Sequence, residues 1–304
     1  MNLNKLTKKQ SGVIFLIVYG LTFILGLFII FLGLYYGRNI IITMLIADII
    51  MTLVIFIVGL IIKNASLYDP YWSVVPPYLM ILWALSSYGF QLPINVILLI
   101  IAVCFWGVRL TYNWWKNWTG FSKQDWRYDY LREKNPKLYP ITNLFGIHMI
   151  PTAVVFLQMI NVFDIMKYSF VSTLFFIGLI LSLIAPVIQF LSDKQMYDFR
   201  AKNTDKNKVI NTGLWRFSRH PNYFGELLFW VGIYIMYLSY AGTININILY
   251  PIAMILLFIF ISIPMMENRL VNRPGYKAYQ NSVSMILPFL PKKKKSSSVS
   301  EEKA

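Results

Sequence analysis

Long apolar blocks separated by short polar breaks dominate this chain. About eight blocks are long enough for a helix to cross a bilayer, which takes roughly 20 residues. They run Val13–Tyr36, Ile40–Ile62, Val74–Phe90, Pro93–Tyr112, Ile147–Phe163, Ser169–Leu191, Tyr223–Tyr240 and Asn245–Pro264. The third and fifth are short and begin near prolines (Pro76, Pro77, Pro151), so each suits a tilted, broken or re-entrant helix. Between them lies the polar stretch Asn113–Gly146. Its Trp114, Trp115, Trp118 and Trp126 alternate with basic residues, the composition of a segment lying in the lipid headgroup zone. No internal repeat is visible. The pattern predicts an all-α integral membrane protein of about eight spans, one polytopic domain over residues 1–291. Residues 292–304, with four consecutive lysines and then serines and glutamates, are expected to form a disordered basic tail.

Charge fixes the expected orientation. Of the 28 lysines and arginines, 26 fall on one side of an eight-span arrangement, and only Arg38 and Lys167 on the other. Positive charge marks the cytoplasmic side, so both termini are expected there. Lys5, Lys8 and Lys9 precede the first block as in a signal peptide. That block is too long for a signal, and no small-residue cleavage site follows it, so it is expected to remain as the first span.

Composition agrees: 57% of residues are hydrophobic and 13% charged, about half the charged share of a soluble domain. The net charge of +15 is set beside the apolar blocks, which favours topology and anionic lipid over nucleic acid as its cause. The single cysteine, Cys104, and two separated histidines, His148 and His220, offer no metal site.

Candidate chemistry gathers on the cytoplasmic side. In Gly213-Leu-Trp-Arg-Phe-Ser-Arg-His-Pro-Asn-Tyr-Phe-Gly-Glu226, Pro221 suits the first turn of a helix. The free N–H groups of that turn, with Arg216, Arg219 and His220, suit phosphate or carboxylate. Asn222 can read an amide. Glu226 falls one turn inside the span, where an unpartnered acid is costly. A cap with positive-inside charges accounts for Arg216 alone, but not for an acid and an amide at that depth. A second group ends the preceding span: Gln189 and Asp193 share a helix face, with Arg200 two turns on. A third is Glu267-Asn-Arg269, followed by Arg273-Pro-Gly-Tyr276. The three groups are expected to converge on one anionic, adenine-bearing ligand. Asp69 and Tyr112, at cytoplasmic membrane edges, are candidates for a catalytic orienter and proton donor; each also suits an interface anchor.

The stretch Trp215–Glu226 and Arg273-Pro-Gly-Tyr276 resemble the superfamily of steroid 5α-reductases, sterol reductases and isoprenylcysteine carboxyl methyltransferases. Within it the chain looks most like a bacterial-type family of unknown function grouped with the 5α-reductase C-terminal domain. Asp69-Pro-Tyr-Trp-Ser73, Trp106-Gly-Val-Arg-Leu-Thr-Tyr112 and Asp125-Trp-Arg-Tyr128 are similar to that family's N-terminal motifs, and the likeness spans about residues 68–288. The resemblance implies cofactor contacts from Gln189, Asp193, Arg200, Asn222, Tyr223 and Glu226. It also implies a membrane-embedded reductase that uses NADPH on a lipid-like enone. It leaves open S-adenosylmethionine-dependent methyl transfer. Asp48, near the middle of the second block, also leaves open a non-enzymatic transporter or scaffold.

Overall fold

A computed structural model of the chain describes residues 6–203, 205 and 207–292; the basic tail from residue 293 on lies outside the described residues. Among the described residues the chain is helical, apart from one isolated parallel bridge between Ser218 and Ser284. The helices are α1 (Lys8–Tyr35), α2 (Ile40–Ile61), α3 (Tyr71–Tyr88), α4 (Ile94–Asn117) and α5 (Trp126–Lys134). They continue as α6 (Tyr139–Ile165), α7 (Thr173–Lys202), α8 (Pro221–Ala241), α9 (Ile246–Leu270) and α10 (Tyr276–Ser282). Seven are long and apolar enough to cross a membrane: α1, α2, α4, α6, α7, α8 and α9.

The third predicted span, α3, is not among those seven. It has 18 residues and holds Pro76 and Pro77 in its interior. It still runs between the two faces of the bundle. Asp69, just before it, meets Tyr128 of α5, while Tyr88 at its end donates to the Met166 carbonyl at the opposite face. Pro77 leaves the Ser73 carbonyl without its helical donor. Gly107 of α4 packs directly on that carbonyl, where a Cβ would come within 2.5 Å of the oxygen.

Each predicted block therefore corresponds to a helix, but several helices outrun their apolar blocks. α4 continues to Asn117 and α7 to Lys202, so Trp114, Trp115, Asp193 and Arg200 all sit on helix rather than in loops. α6 begins at Tyr139 and is continuous, its first part an eight-residue π-helical stretch, Thr142–Met149. Caps explain the clean starts. Thr7 and Gln10 form a reciprocal capping box on α1, Asn39 caps α2, Ser172 caps α7, and Pro221 opens α8.

The closest pairing is α7 with α8. Gly178 and Gly232 oppose each other, and a Cβ on either would lie within 2.7 Å of the other's carbonyl oxygen. Small residues let membrane helices approach to backbone contact, where dispersion and polar contacts replace the hydrophobic effect. Asp48, buried in α2, accepts a bond of 2.7 Å from the Tyr71 hydroxyl, pinning α2 to the start of α3. That neutral partner makes Asp48 a tie between helices.

The described ends of the chain share one face. The Lys8 amine bonds the Trp115 carbonyl at the end of α4. The segment after α9 is tied to the start of α8 through Arg219, which donates to the carbonyls of Gln280 and Val283. This loop face carries most of the candidate site residues. The tryptophans there are not simply interfacial: Trp114 and Trp118 stack on each other at 5.0 Å and meet Phe15 at tilted angles, and Trp118 is buried. Trp115 is the more exposed of the three.

Candidate functional site

A cavity of about 650 Å³ opens at the loop face, bounded by the start of α3, by α4, and by α6 to α9. The loop between α4 and α5 covers it. That loop is held by Asn64, whose amide donates to the carbonyls of Phe121 and Lys123, and by the Ser66 hydroxyl, which accepts from the Asp125 backbone N–H.

One wall carries an acid and a phenol. The Tyr128 hydroxyl donates to Asp69 Oδ1, and Arg127 grips Asp125 with two bonds of 2.8 and 3.1 Å. Burial lifts the Asp69 carboxyl to about 6; Arg127 opposes the rise and Asp125 adds to it. Burial, and then the Asp69 carboxylate, hold the Tyr128 phenol well above its ordinary value, so it keeps its proton at neutral pH. The sign of the linkage follows. A carboxyl raised on folding favours the folded state when protonated. Its contribution is complete below about pH 4 and is lost as pH rises through about 6. Asp69→Asn should therefore gain stability relative to the parent across that window and show no further relative change above pH 7. Thermal melts of both proteins from pH 4 to 8 measure this; parallel curves would show that Asp69 does not titrate there.

Another part of the lining carries an arginine and two carboxylates. Arg109 of α4 is 7% exposed and donates from Nη1 to Asp193 Oδ2 at 2.9 Å. Asn222 approaches the other Asp193 oxygen at 3.4 Å. The Nε and Nη2 groups of Arg109 are buried and have no protein partner among the described residues, and neither does Gln189 Oε1. An unspent buried polar group costs about 1–3 kcal/mol, so these three atoms, on two residues that line the cavity, single out this part of the lining. Glu226 lies deeper. It accepts from Trp230 at 2.9 Å, from Trp106 at 3.0 Å and from Gln189 Nε2 at 2.7 Å. A buried acid ordinarily calls for a cation, but Arg269 near the end of α9 is elsewhere: its guanidinium lies 4.2 Å from the Trp126 ring centroid. Neutral indole and amide donors satisfy the acid instead.

The structure thus brings Asp69, Gln189, Asp193, Asn222, Tyr223 and Glu226 to one cavity. The expected convergence of all three groups on a ligand is not what it shows. Arg219, His220 and Glu267 are spent on one another: Arg219 Nε bonds Glu267 at 2.7 Å and His220 Nε2 lies 3.2 Å from the same oxygen. Gln280 donates to the second Glu267 oxygen. This network clamps the C-terminal segment onto α8. Tyr276 is buried in a small separate core with Tyr279 and Val283, and Arg216 is exposed. None of these five lines the cavity. Arg200 lies within electrostatic reach of Arg269, Arg273 and Asp193, and all three arginines are outside the cavity lining.

Tyr112 is also turned away. The helical phase that points Arg109, Leu110 and Asn113 into the cavity puts Tyr112 on the opposite side of α4, 57% exposed. Tyr128 stands beside Asp69 in its place. Sequence reasoning missed Tyr128 and Arg109 as site residues. A single arginine inside the apolar run ending α4 is the available signal for Arg109, which reads in the sequence as a topological charge and as part of a family-like motif.

A family model described as a protein of unknown function, DUF1295, matches residues 55–283. An uncharacterised protein of Schizosaccharomyces pombe is 24% identical over 299 residues, covering 86% of this chain and 83% of its own. No solved structure matches.

Proposed function

The chain belongs to the DUF1295 family, and on that premise we propose that it is a membrane-embedded reductase that binds NADPH or NADH and acts on a lipid-like enone. The observation that carries the reading is that one cavity is lined by two polar groups. Arg109 and Gln189 hold unspent buried donors and an acceptor, and the Asp69–Tyr128 acid pair lines the same cavity.

The residues fit a nicotinamide nucleotide. Two unpartnered Arg109 N–H groups suit phosphate or carbonyl oxygens, and the free Gln189 oxygen suits a carboxamide N–H. The cavity volume falls in the range of small-molecule sites. The arginines at 200, 269 and 273 add positive charge nearby. When bound, the nucleotide supplies a hydride. The chain supplies the rest. Asp193, itself approached by Asn222, holds Arg109; Trp106, Trp230 and Gln189 hold Glu226. Tyr128 holds a proton at its hydroxyl, and Asp69 exchanges one at its carboxyl near pH 6, so an oxygen placed beside them is polarised and protonated. The distribution of 26 of 28 basic residues supports a cytoplasmic loop face.

Thermal stabilisation of the detergent-purified protein tests the reading. NADPH or NADH at 100 times its dissociation constant should add about 2.7 kcal/mol. Stabilisation by S-adenosylmethionine instead would make the protein a methyltransferase, and stabilisation by none of the three would remove the cofactor site. Repeating the titration on sealed vesicles of each orientation tests the side: only those with the cytoplasmic face outward should bind added nucleotide.

A further inference from the structure

α6 and α9 form an unusual wall. In their far halves they are joined: Gln158 donates to the Tyr250 carbonyl, and Asn247 donates to Asn161 at 3.0 Å. Toward the loop face they line the cavity from two sides, with Gly146 and Ile150 on α6 and Phe258 and Ile261 on α9. In this half both helices change to π-helical geometry, over Thr142–Met149 and Phe258–Ser262. A π-helical turn is wider than an α turn and departs from regular helix packing, and such turns recur at functional sites.

Gly146, Ile150 and Ile261 border the cavity and are exposed, Ile261 by 47%. Their chain neighbours Phe145 and Phe260 are 54% and 70% exposed and outside the cavity lining, so they face outward. Exposed lining residues beside outward-facing phenylalanines mark a place where the cavity comes close to the outer surface, and the surface here is apolar. Gly146 has no side chain to close it. The other approach, past Asn117, Thr119 and Lys123 at the loop face, is polar.

We propose that the cavity opens sideways into the bilayer through a slot between α6 and α9. Its occupant is a lipid-like substrate whose carbonyl end reaches Asp69 and Tyr128 while its hydrocarbon chain stays in the slot. The polar approach admits the charged nucleotide, and the slot admits the lipid. This inference rests on the reading of the cavity as a lipid substrate site.

A photo-reactive amino acid placed at Ile261, in protein reconstituted in phosphatidylcholine vesicles holding a radiolabelled long-chain α,β-unsaturated ketone, tests it. Capture at Ile261 should exceed capture at Ile180 of α7, an equally lipid-exposed control, at least fivefold. Gly146→Trp and Ile261→Trp should each lower ketone binding at least tenfold and keep nucleotide stabilisation. A Cβ at Gly146 meets nothing nearer than Thr142 at 3.6 Å, and Ile261 is half exposed, so both chains should fold. Equal capture at the two positions, or full ketone binding in both tryptophan variants, overturns the slot alone. A parent protein that binds no ketone overturns the substrate reading and the slot with it.

Discussion

Arg109→Ala should lower stability by about 3 kcal/mol, the low end of the cost of breaking a buried ion pair from one side. The low end applies because Asp193 keeps some contact with the cavity, its side chain 19% exposed against 6% for Arg109. Removing the guanidinium strands Asp193 with only the long contact from Asn222. Arg109→Lys separates the structural part from the ligand part. Lysine keeps a charge near Asp193 but has no counterpart to the two N–H groups that Arg109 leaves unspent. It should fold, and nucleotide affinity should fall more than tenfold, or about 1.4 kcal/mol. Melting curves measure the first effect and ligand titration the second. A lysine variant that binds every nucleotide like the parent would mean that the unspent donors serve no ligand.

Glu226→Gln is the second large effect, and its direction differs from a sequence-based expectation. Read as a charge one turn inside a span, Glu226 calls for a cation, and losing the charge should change ligand affinity more than apo stability. The structure gives it neutral donors from Trp106, Trp230 and Gln189. A glutamine keeps one acceptor oxygen and turns a donor group toward donors that already point inward. The apo protein should lose about 1–3 kcal/mol, the cost of leaving one or two buried donors unmade. Trp106 also stacks on Phe229 at 5.0 Å, so tryptophan emission should shift as the packing loosens. Unchanged apo stability, with affinity alone reduced, would restore the view of Glu226 as a ligand contact first.

Local pattern alone determined a good deal. Apolar runs long enough to span, the proline that opens α8 and the helical spacing that puts Gln189 and Asp193 on one face depend on neighbours within a few residues. Periodicity and capping act at that range, and there the sequence can be read directly. The helix ends were less legible, because α4 and α7 continue past their apolar stretches, where they touch one another, as Lys116 does over the Tyr197 ring.

What each polar side chain does was decided by tertiary structure. Arg219, His220 and Glu267 had the composition of an anion site, yet 48 residues separate Arg219 from the acid that takes its charge. Tyr128 meets Asp69 across 59 residues and Arg109 meets Asp193 across 84. A charge in a low-dielectric interior is either neutralised by a neighbour or left free for a ligand, and that depends on which distant segment lies against it. The amino-acid pattern set where the helices run and which end of the bundle holds the polar groups. Only packing decided which of those groups pair with each other and which, like Arg109, keep N–H groups without a protein partner among the described residues.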